Sequence, residues 1–231
     1  MAKSRGRTKL KYKPGVLMGG RYHVHDCGLS RSIGYFLEPL IVLGLFGKKP
    51  LSIRLKGIAN DSKDPSVDTF RSTTLNILKR FGAPSEGLEL KMWWRSYFEC
   101  SNDSQQLSSE CPAVTWIDEG MVKRIRGVTF STRASSQFEN TMIHAARGIF
   151  NRLLPDVHIF TDHKSREQAG KSLGFGISLV AETTSGCFIS TDTAVCYARG
   201  EDADDNGEKK ELMAPEDIGE QTASMLLGEI E

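Results

Sequence analysis

Between Ile33 and Phe46 the only charged residue is Glu38, and the run is otherwise apolar or small. It falls short of the roughly 18 uninterrupted apolar residues that a membrane span requires, and Glu38-Pro39 breaks it. A segment of this kind has to be covered by other parts of the same protein. Gly44, Gly47 and Pro50 punctuate its end as helix terminators do. The pattern predicts a buried helix over Leu29 to Gly47, packed against strands, followed by a turn.

Strand and helix signals alternate after that helix. Leu51-Ser-Ile-Arg-Leu-Lys56 has the period of a half-exposed strand. Asp64-Pro65 reads as an N-cap with Pro at the first helical position, and Val67, Phe70, Leu75, Leu78 and Phe81 form an apolar stripe ending at Gly82. Arg71, Lys79 and Arg80 lie between the stripe positions, as a solvated face or as phosphate contacts. A strand follows at Leu88 to Met92. From Ser96 to Pro112 periodicity is lost among Ser, Asn, Gln, Glu and Cys, which predicts a loop and a domain boundary. Lys123 to Arg133, Gln137 to Leu154, Val157 to Phe160, Gly174 to Glu182 and Cys187 to Tyr197 then read as β, α, β, β, β, the last two joined by a Thr-Thr-Ser-Gly turn. Residues 199 to 211 are acidic and of low complexity. Pro215 to Ile230 reads as a closing helix whose Ala223, Met225, Leu226, Leu227 and Ile230 need a partner surface.

The chain has 231 residues, 39% hydrophobic and 26% charged, which is ordinary for a globular α/β protein and excludes collagen-like, coiled-coil and wholly disordered classes. The basic start, Met1 to Lys13, has no apolar core of a secretory signal, so an intracellular protein is expected. Five widely spaced cysteines with no Cys-x-x-Cys pair suggest reduced thiols.

A formal net charge of +1 conceals a gradient. Residues 1 to 95 carry 18 Lys/Arg against 7 Asp/Glu, and residues 200 to 231 carry 2 against 11. A front half of this kind suits a polyanion, nucleic acid first, although a merely solvated basic face is an equal reading. The glycines of Tyr12-Lys-Pro-Gly15 and Gly19-Gly20 describe a strand giving way to a turn that a phosphate backbone can approach, with Lys11, Lys13 and Arg21 around it. Ser30, Arg31 and Ser32 open the apolar helix, where free amides and the macrodipole favour an anion. Ser30 as a simple cap, and Arg31 as a structural partner of Glu38 or a backbone carbonyl, are the bland counterparts. The RNA-binding set expected on these grounds is Lys11, Lys13, Arg21 and Arg31, with Arg54 and Lys56 on the predicted strand.

Enzyme signatures are absent. There is no phosphate loop, nucleophile elbow or His-Glu-x-x-His motif, and Gly174-Phe-Gly176 lacks the third glycine of a dinucleotide loop and leads into a strand. His23, His25, Asp26 and Cys27 are ligand types, but no second pair completes a tetrahedral site. His144, His158 and His163 have no nucleophile that sequence can place beside them. No catalytic residue, metal or cofactor is expected.

Three runs carry a family resemblance: Tyr12-Lys-Pro-Gly15 through Ser30-Arg-Ser-Ile-Gly-Tyr-Phe-Leu-Glu-Pro39, Lys56-Gly-Ile-Ala-Asn-Asp-Ser-Lys-Asp-Pro-Ser-Val-Asp68, and residues 116 to 198 with Asp118-Glu-Gly120, Arg124-Ile-Arg-Gly127 and Val180-Ala-Glu-Thr-Thr-Ser-Gly186. The chain resembles the RNA 3'-terminal phosphate cyclase family in its eukaryotic cyclase-like branch. The resemblance implies an α/β fold of repeated two-helix, four-strand units with an inserted small α/β domain. Its boundaries would be 1 to 112 for an incomplete large domain, 116 to 198 for the insert, 199 to 214 for an acidic linker and 215 to 231 for a helix returning to the large domain. The branch implies a non-catalytic nucleolar factor in small-subunit (18S) pre-rRNA processing. Its implied partners are pre-rRNA, the processing complex and a nucleolar GTPase, with no membrane. The other branch implies an ATP-dependent RNA 3'-phosphate cyclase working through an adenylated histidine.

Departures from the family pattern are plain. The family's first repeat is almost wholly missing, because Thr8 already corresponds to a point well inside a full-length member. Met92-Trp-Trp-Arg-Ser-Tyr-Phe-Glu-Cys100 stands where the family is glycine-rich, and Glu231 precedes the segment of the cyclase histidine. An incomplete member, shortened at both ends and marginally stable alone, is therefore expected. The closely spaced aromatics Trp93, Trp94, Tyr97 and Phe98 add to that liability.

Overall fold

The computed structural model describes residues 11–230 except 12, 14, 17, 19–21, 29, 50, 84–87, 95–96, 103–112, 165–173 and 197–212. Its strands form two separate four-stranded sheets. The first is built from β1 (Tyr22–Asp26), β2 (Leu51–Lys56), β3 (Leu88–Trp94) and β4 (Tyr97–Asn102) in the order β1-β2-β4-β3. β1 and β2 are parallel and joined by α1 (Ile33–Leu45), whereas β4 runs antiparallel to both β2 and β3. The second sheet has the order β6-β5-β7-β8, with β5 (Val122–Thr132), β6 (Val157–Lys164), β7 (Gly174–Thr183) and β8 (Phe188–Cys196). Here too a parallel pair, β5 and β6, is joined by a helix, α4 (Gln137–Phe150), and the remaining pairings are antiparallel. The mixed α/β class follows directly.

α1 begins four residues later than the predicted start at Leu29. Ser32 is its N-cap residue, without a side-chain capping bond. The turn is held by tertiary contacts: Ser32 N–H donates to Asp64 (2.9 Å) and Ile33 N–H to the Ile58 carbonyl (2.7 Å). Ile33, Leu37 and Ile41 meet Ile53 and Leu55 of β2 in one core cluster. The segment after β2 also differs from the sequence reading. Ser66, not Asp64, is the N-cap, accepting from the Thr69 amide, because Asp64 is drawn toward Arg31. α2 (Val67–Thr69) passes through a π-helical stretch (Phe70–Thr74) into α3 (Leu75–Arg80), which keeps Val67, Phe70, Leu75 and Leu78 on that same core.

Two strands contradict the sequence reading. Tyr22–Asp26 is a strand although every one of its residues is exposed, so it carries no alternation to read. Tyr97–Asn102, expected to be loop, is β4 and lies between β2 and β3. Its polar Glu99, Ser101 and Asn102 are tolerated because the ladder bonds to both neighbours come from the backbone. The predicted strand around Tyr12 is not seen at the described positions 11, 13, 15, 16 and 18. The boundary expected at 112, the acidic stretch 199 to 211 and Arg21 lie outside the described residues.

α5 (Pro215–Ile230) does not return to the first sheet, as the domain reading expected. It packs on α4, β7 and β8, and its Ile218, Ala223 and Leu226 are fully buried with Met142, Ala146, Phe150, Ile177 and Leu179. Gly219 makes this possible: a side chain there would stand 2.5 Å from the Met142 carbonyl oxygen. Two helices thus cover one face of the second sheet. The physical reason is area: α4 lies over β5, β6 and β7, and α5 extends the cover across β7 and β8.

Candidate functional site

The α2–α3 helix lies between the two sheets. One side joins the first core, and the other meets β7 and β8. Thr69 Oγ1 donates to Asp192 of β8 (3.2 Å). Arg80 Nη1 donates to the Ser185 carbonyl (2.5 Å) in the β7–β8 turn, and its guanidinium stacks 4.7 Å from the Trp116 ring. Gly186, at φ +80°, accepts that approach, because a side chain would meet Arg80 Nη1 at 2.5 Å. The backbone leading into β5 is stitched to the same turn by Thr184 N–H to the Met121 carbonyl (2.8 Å) and Met121 N–H to Thr184 Oγ1 (3.2 Å). Asp118-Glu-Gly120 and the Thr-Thr-Ser-Gly run therefore act as a joint between the sheets. Arg80, expected on a solvated face, belongs to that joint.

At the start of α1 the other motif residues converge. Asp64 is buried, and both its oxygens are used: Arg31 Nε donates to Oδ2 (2.9 Å), Arg31 Nη2 pairs with Oδ1, and Ser32 N–H adds a second bond to Oδ2. Asp61 Oδ1 shapes the loop by accepting from the Lys63 (3.0 Å) and Asp64 (2.8 Å) amides. Asn60 donates to Asp68 (3.1 Å). The hydrogen-bonded Arg31 guanidinium holds the Asp64 carboxyl below the usual carboxylate range, and Arg31 is held more firmly protonated in return. Arg31 also lies 4.0 Å from the Tyr35 ring. It is a structural cation, and its partner is Asp64, not Glu38.

Asp192 behaves oppositely. Burial pushes its carboxyl up, and the nearby Asp68 and Asp61 charges add to the effect, against the bond from Thr69. A carboxyl raised in the fold favours folding at low pH, and that advantage is lost as pH rises through its folded value. Asp192→Asn keeps an acceptor for Thr69 and removes the buried charge. The variant is expected to melt at a higher temperature than the parent at pH 7, with the difference vanishing toward pH 4 in a calorimetric series. Equal melting temperatures at pH 7 would refute a buried, raised carboxyl there.

The remaining expected contacts sort by position. Lys11 and Lys13 are exposed, and Arg54 and Lys56 are half-buried on the face of β2 opposite Ile53 and Leu55. The structure does not gather all of these into one patch with Arg31, whose charge is already paired. The His23, His25, Asp26, Cys27 group disperses. Asp26 accepts from Gly28 N–H (2.9 Å), His25 lies 5.5 Å from the Phe36 ring, and Cys27 is buried, its thiol pushed up to about 11 by burial and by Asp26. Among the described residues no three His, Cys, Asp or Glu side chains come together as a metal site.

In the second unit, Arg124-Ile-Arg-Gly127 resolves into ion pairs on the face away from α4. Arg124 Nε pairs with Glu182 (2.5 Å), and Arg126 grips Asp156 through two bonds (2.8 and 3.0 Å). One constellation escaped the sequence reading. Glu139, 2% exposed on α4, accepts from Ser131 of β5, while His163 Nδ1 of β6 lies 2.8 Å from Ser131 Oγ and 3.2 Å from Glu139 Oε1. It is not a nucleophilic triad, because Ser131 is fully buried and both partners address the same ring nitrogen. No spacing signal could reveal it, since its members sit on three elements.

A β-α-β pair in each of two four-stranded sheets, bridged by the motif-bearing loops, defines the class. The family model of RNA 3'-terminal phosphate cyclase matches residues 2–151, and that of the same family's insert domain matches residues 117–231, so the chain belongs to the RNA 3'-terminal phosphate cyclase family. Within it, the chain is 62% identical to a probable RNA 3'-terminal phosphate cyclase-like protein of Arabidopsis thaliana, over 97% of this chain and 61% of that protein. It is 42% identical to the Homo sapiens RNA 3'-terminal phosphate cyclase-like protein, over 96% of this chain and 58% of the relative. It is 38% identical to the rRNA processing protein rcl1 of Schizosaccharomyces pombe, over 97% and 59% respectively. The chain thus spans about three fifths of the length of these relatives. The insert model's reach to residue 231 agrees with α5 packing in the second unit.

Proposed function

We propose that this chain acts in ribosome biogenesis, as a non-catalytic nucleolar factor in small-subunit (18S) pre-rRNA processing that binds pre-rRNA or its processing complex. The observation that carries the reading is its 38% identity, across 97% of the chain, to a protein named for rRNA processing. The excess of 18 Lys/Arg over 7 Asp/Glu in residues 1 to 95 suits an RNA partner. A GTPase partner follows from the family resemblance. The other reading, an ATP-dependent RNA 3'-phosphate cyclase, is favoured by the match of the cyclase model to residues 2–151.

Purified chain incubated with ATP and 3'-phosphorylated RNA separates the two. The expected result is neither adenylated protein nor cyclic RNA ends, together with recovery of small-subunit precursors when the tagged protein is isolated from cells. Cyclic ends at a rate proportional to protein would establish the cyclase instead.

A further inference from the structure

The face of the first sheet turned away from its helices carries an aromatic ring among long cations. Ile53, Leu55 and Leu90 point to the helix side, into the core. By strand alternation, Arg54 and Lys56 of β2 point the other way, and the register puts Tyr22, Val24 and Asp26 of β1 and Glu89 and Lys91 of β3 with them. Tyr22 is 51% exposed and Val24 53%, so this face is open at β1. The Arg54 guanidinium lies 5.4 Å from the Tyr22 ring centre. Lys91 is tied to Glu89 at 2.6 Å, and Lys56 is in register with Asp26. Register also sets Glu99 of β4 opposite Arg54 on this face, so its charged positions are three cations and three carboxylates.

We infer that this open face binds single-stranded RNA, with Tyr22 stacking on a base and Arg54 and Lys56 meeting the flanking phosphates. The inference rests on the RNA-binding reading above and names the surface and the form of the ligand. A nucleotide offers an apolar ring and an anion side by side, and Tyr22 beside Arg54 offers the complement of both. Stacking on aromatic rings needs a base whose face is free, which a single strand provides and a duplex does not. A broad sheet cannot enter the deep, narrow groove of an RNA duplex. A protein partner is the weaker match, because among the described side chains of this face the apolar Tyr22 and Val24 stand beside charged residues. Arg54 is held near the ring before any ligand arrives, which reduces the ordering that binding requires.

The test uses the full chain and a labelled single strand of about 12 nucleotides, within the range bound by comparable single-strand modules. Anisotropy is read between about 50 and 200 mM salt. Tyr22→Ala is expected to weaken binding by about tenfold or more, and Tyr22→Phe to restore it, because the ring and not the hydroxyl stacks. Arg54→Gln with Lys56→Gln should lower the salt slope by about two charges' worth. Ultraviolet cross-linking should mark the peptide holding Tyr22, and a duplex of the same sequence should compete poorly. Unchanged affinity in Tyr22→Ala, with its circular dichroism intact and the parent binding RNA, would overturn this placement while leaving RNA binding standing. Should Tyr22→Ala not fold, an absence of cross-links at Tyr22 in the parent overturns it equally. No affinity in the parent at the lowest salt would overturn the RNA-binding reading itself.

Discussion

Asp64→Ala is expected to destabilise the first unit by about 2–4 kcal/mol, because it leaves Arg31 without its carboxylate and the Ser32 amide without an acceptor. Asp64 is buried and uses both oxygens, so nothing else in the loop replaces it. Arg31→Ala should cost less, since half of that side chain is already in water and the Ser32 bond to Asp64 survives. Hydrogen exchange should report the loss in α1 and β2, with β5 and β7 unaffected. Acid should mimic the substitution. The depressed Asp64 carboxyl contributes its stability above the unfolded value of about 3.9, and loses it as pH falls through the lower folded value. The stability gap between wild type and Asp64→Ala should therefore narrow as pH falls below about 3.9. If Asp64→Ala melts with the parent at pH 7, the pair is ornamental and Arg31 is available for another role.

The second large effect concerns α5. Ile218 and Leu226 are both fully buried against α4 and the second sheet. Truncating either to alanine leaves a cavity and should cost about 2–5 kcal/mol. Both together should take most of the 5–15 kcal/mol that a domain of ordinary stability holds, although two residues of one helix sharing one core need not add. The expected readout is loss of amide protection in β5, β7 and β8, while α1 and β2 keep theirs. Protection lost in the first sheet and kept in the second would mean that α5 belongs with the first sheet, as the sequence reading had it. The same experiment thus decides which unit the closing helix stabilises.

Much of this protein is legible without coordinates, and the reason is locality. α1, β2 and β5 to β8 each announce themselves through the period of their own apolar residues, which depends only on the element's geometry. The charge gradient and the three family runs are also properties of the linear chain, and the family resemblance rests on the runs. What escaped are features whose cause lies far away in sequence. β1 is exposed at all five positions, so its strand state comes from pairing with β2 and not from any pattern of its own. β4 is a strand because β2 and β3 flank it. Asp64 leaves its expected capping role because Arg31, 33 positions earlier, claims it, and Ser66 takes over the cap. Glu139, Ser131 and His163 meet only after β5, α4 and β6 have packed. α5 shows the division most clearly. Its apolar stripe says that it must bury a face, since exposed hydrocarbon is unfavourable wherever the helix goes. Which face receives it is a matter of complementary shape and uncovered area, and only the packed β7–β8 surface, with Gly219 set against Met142, decides that.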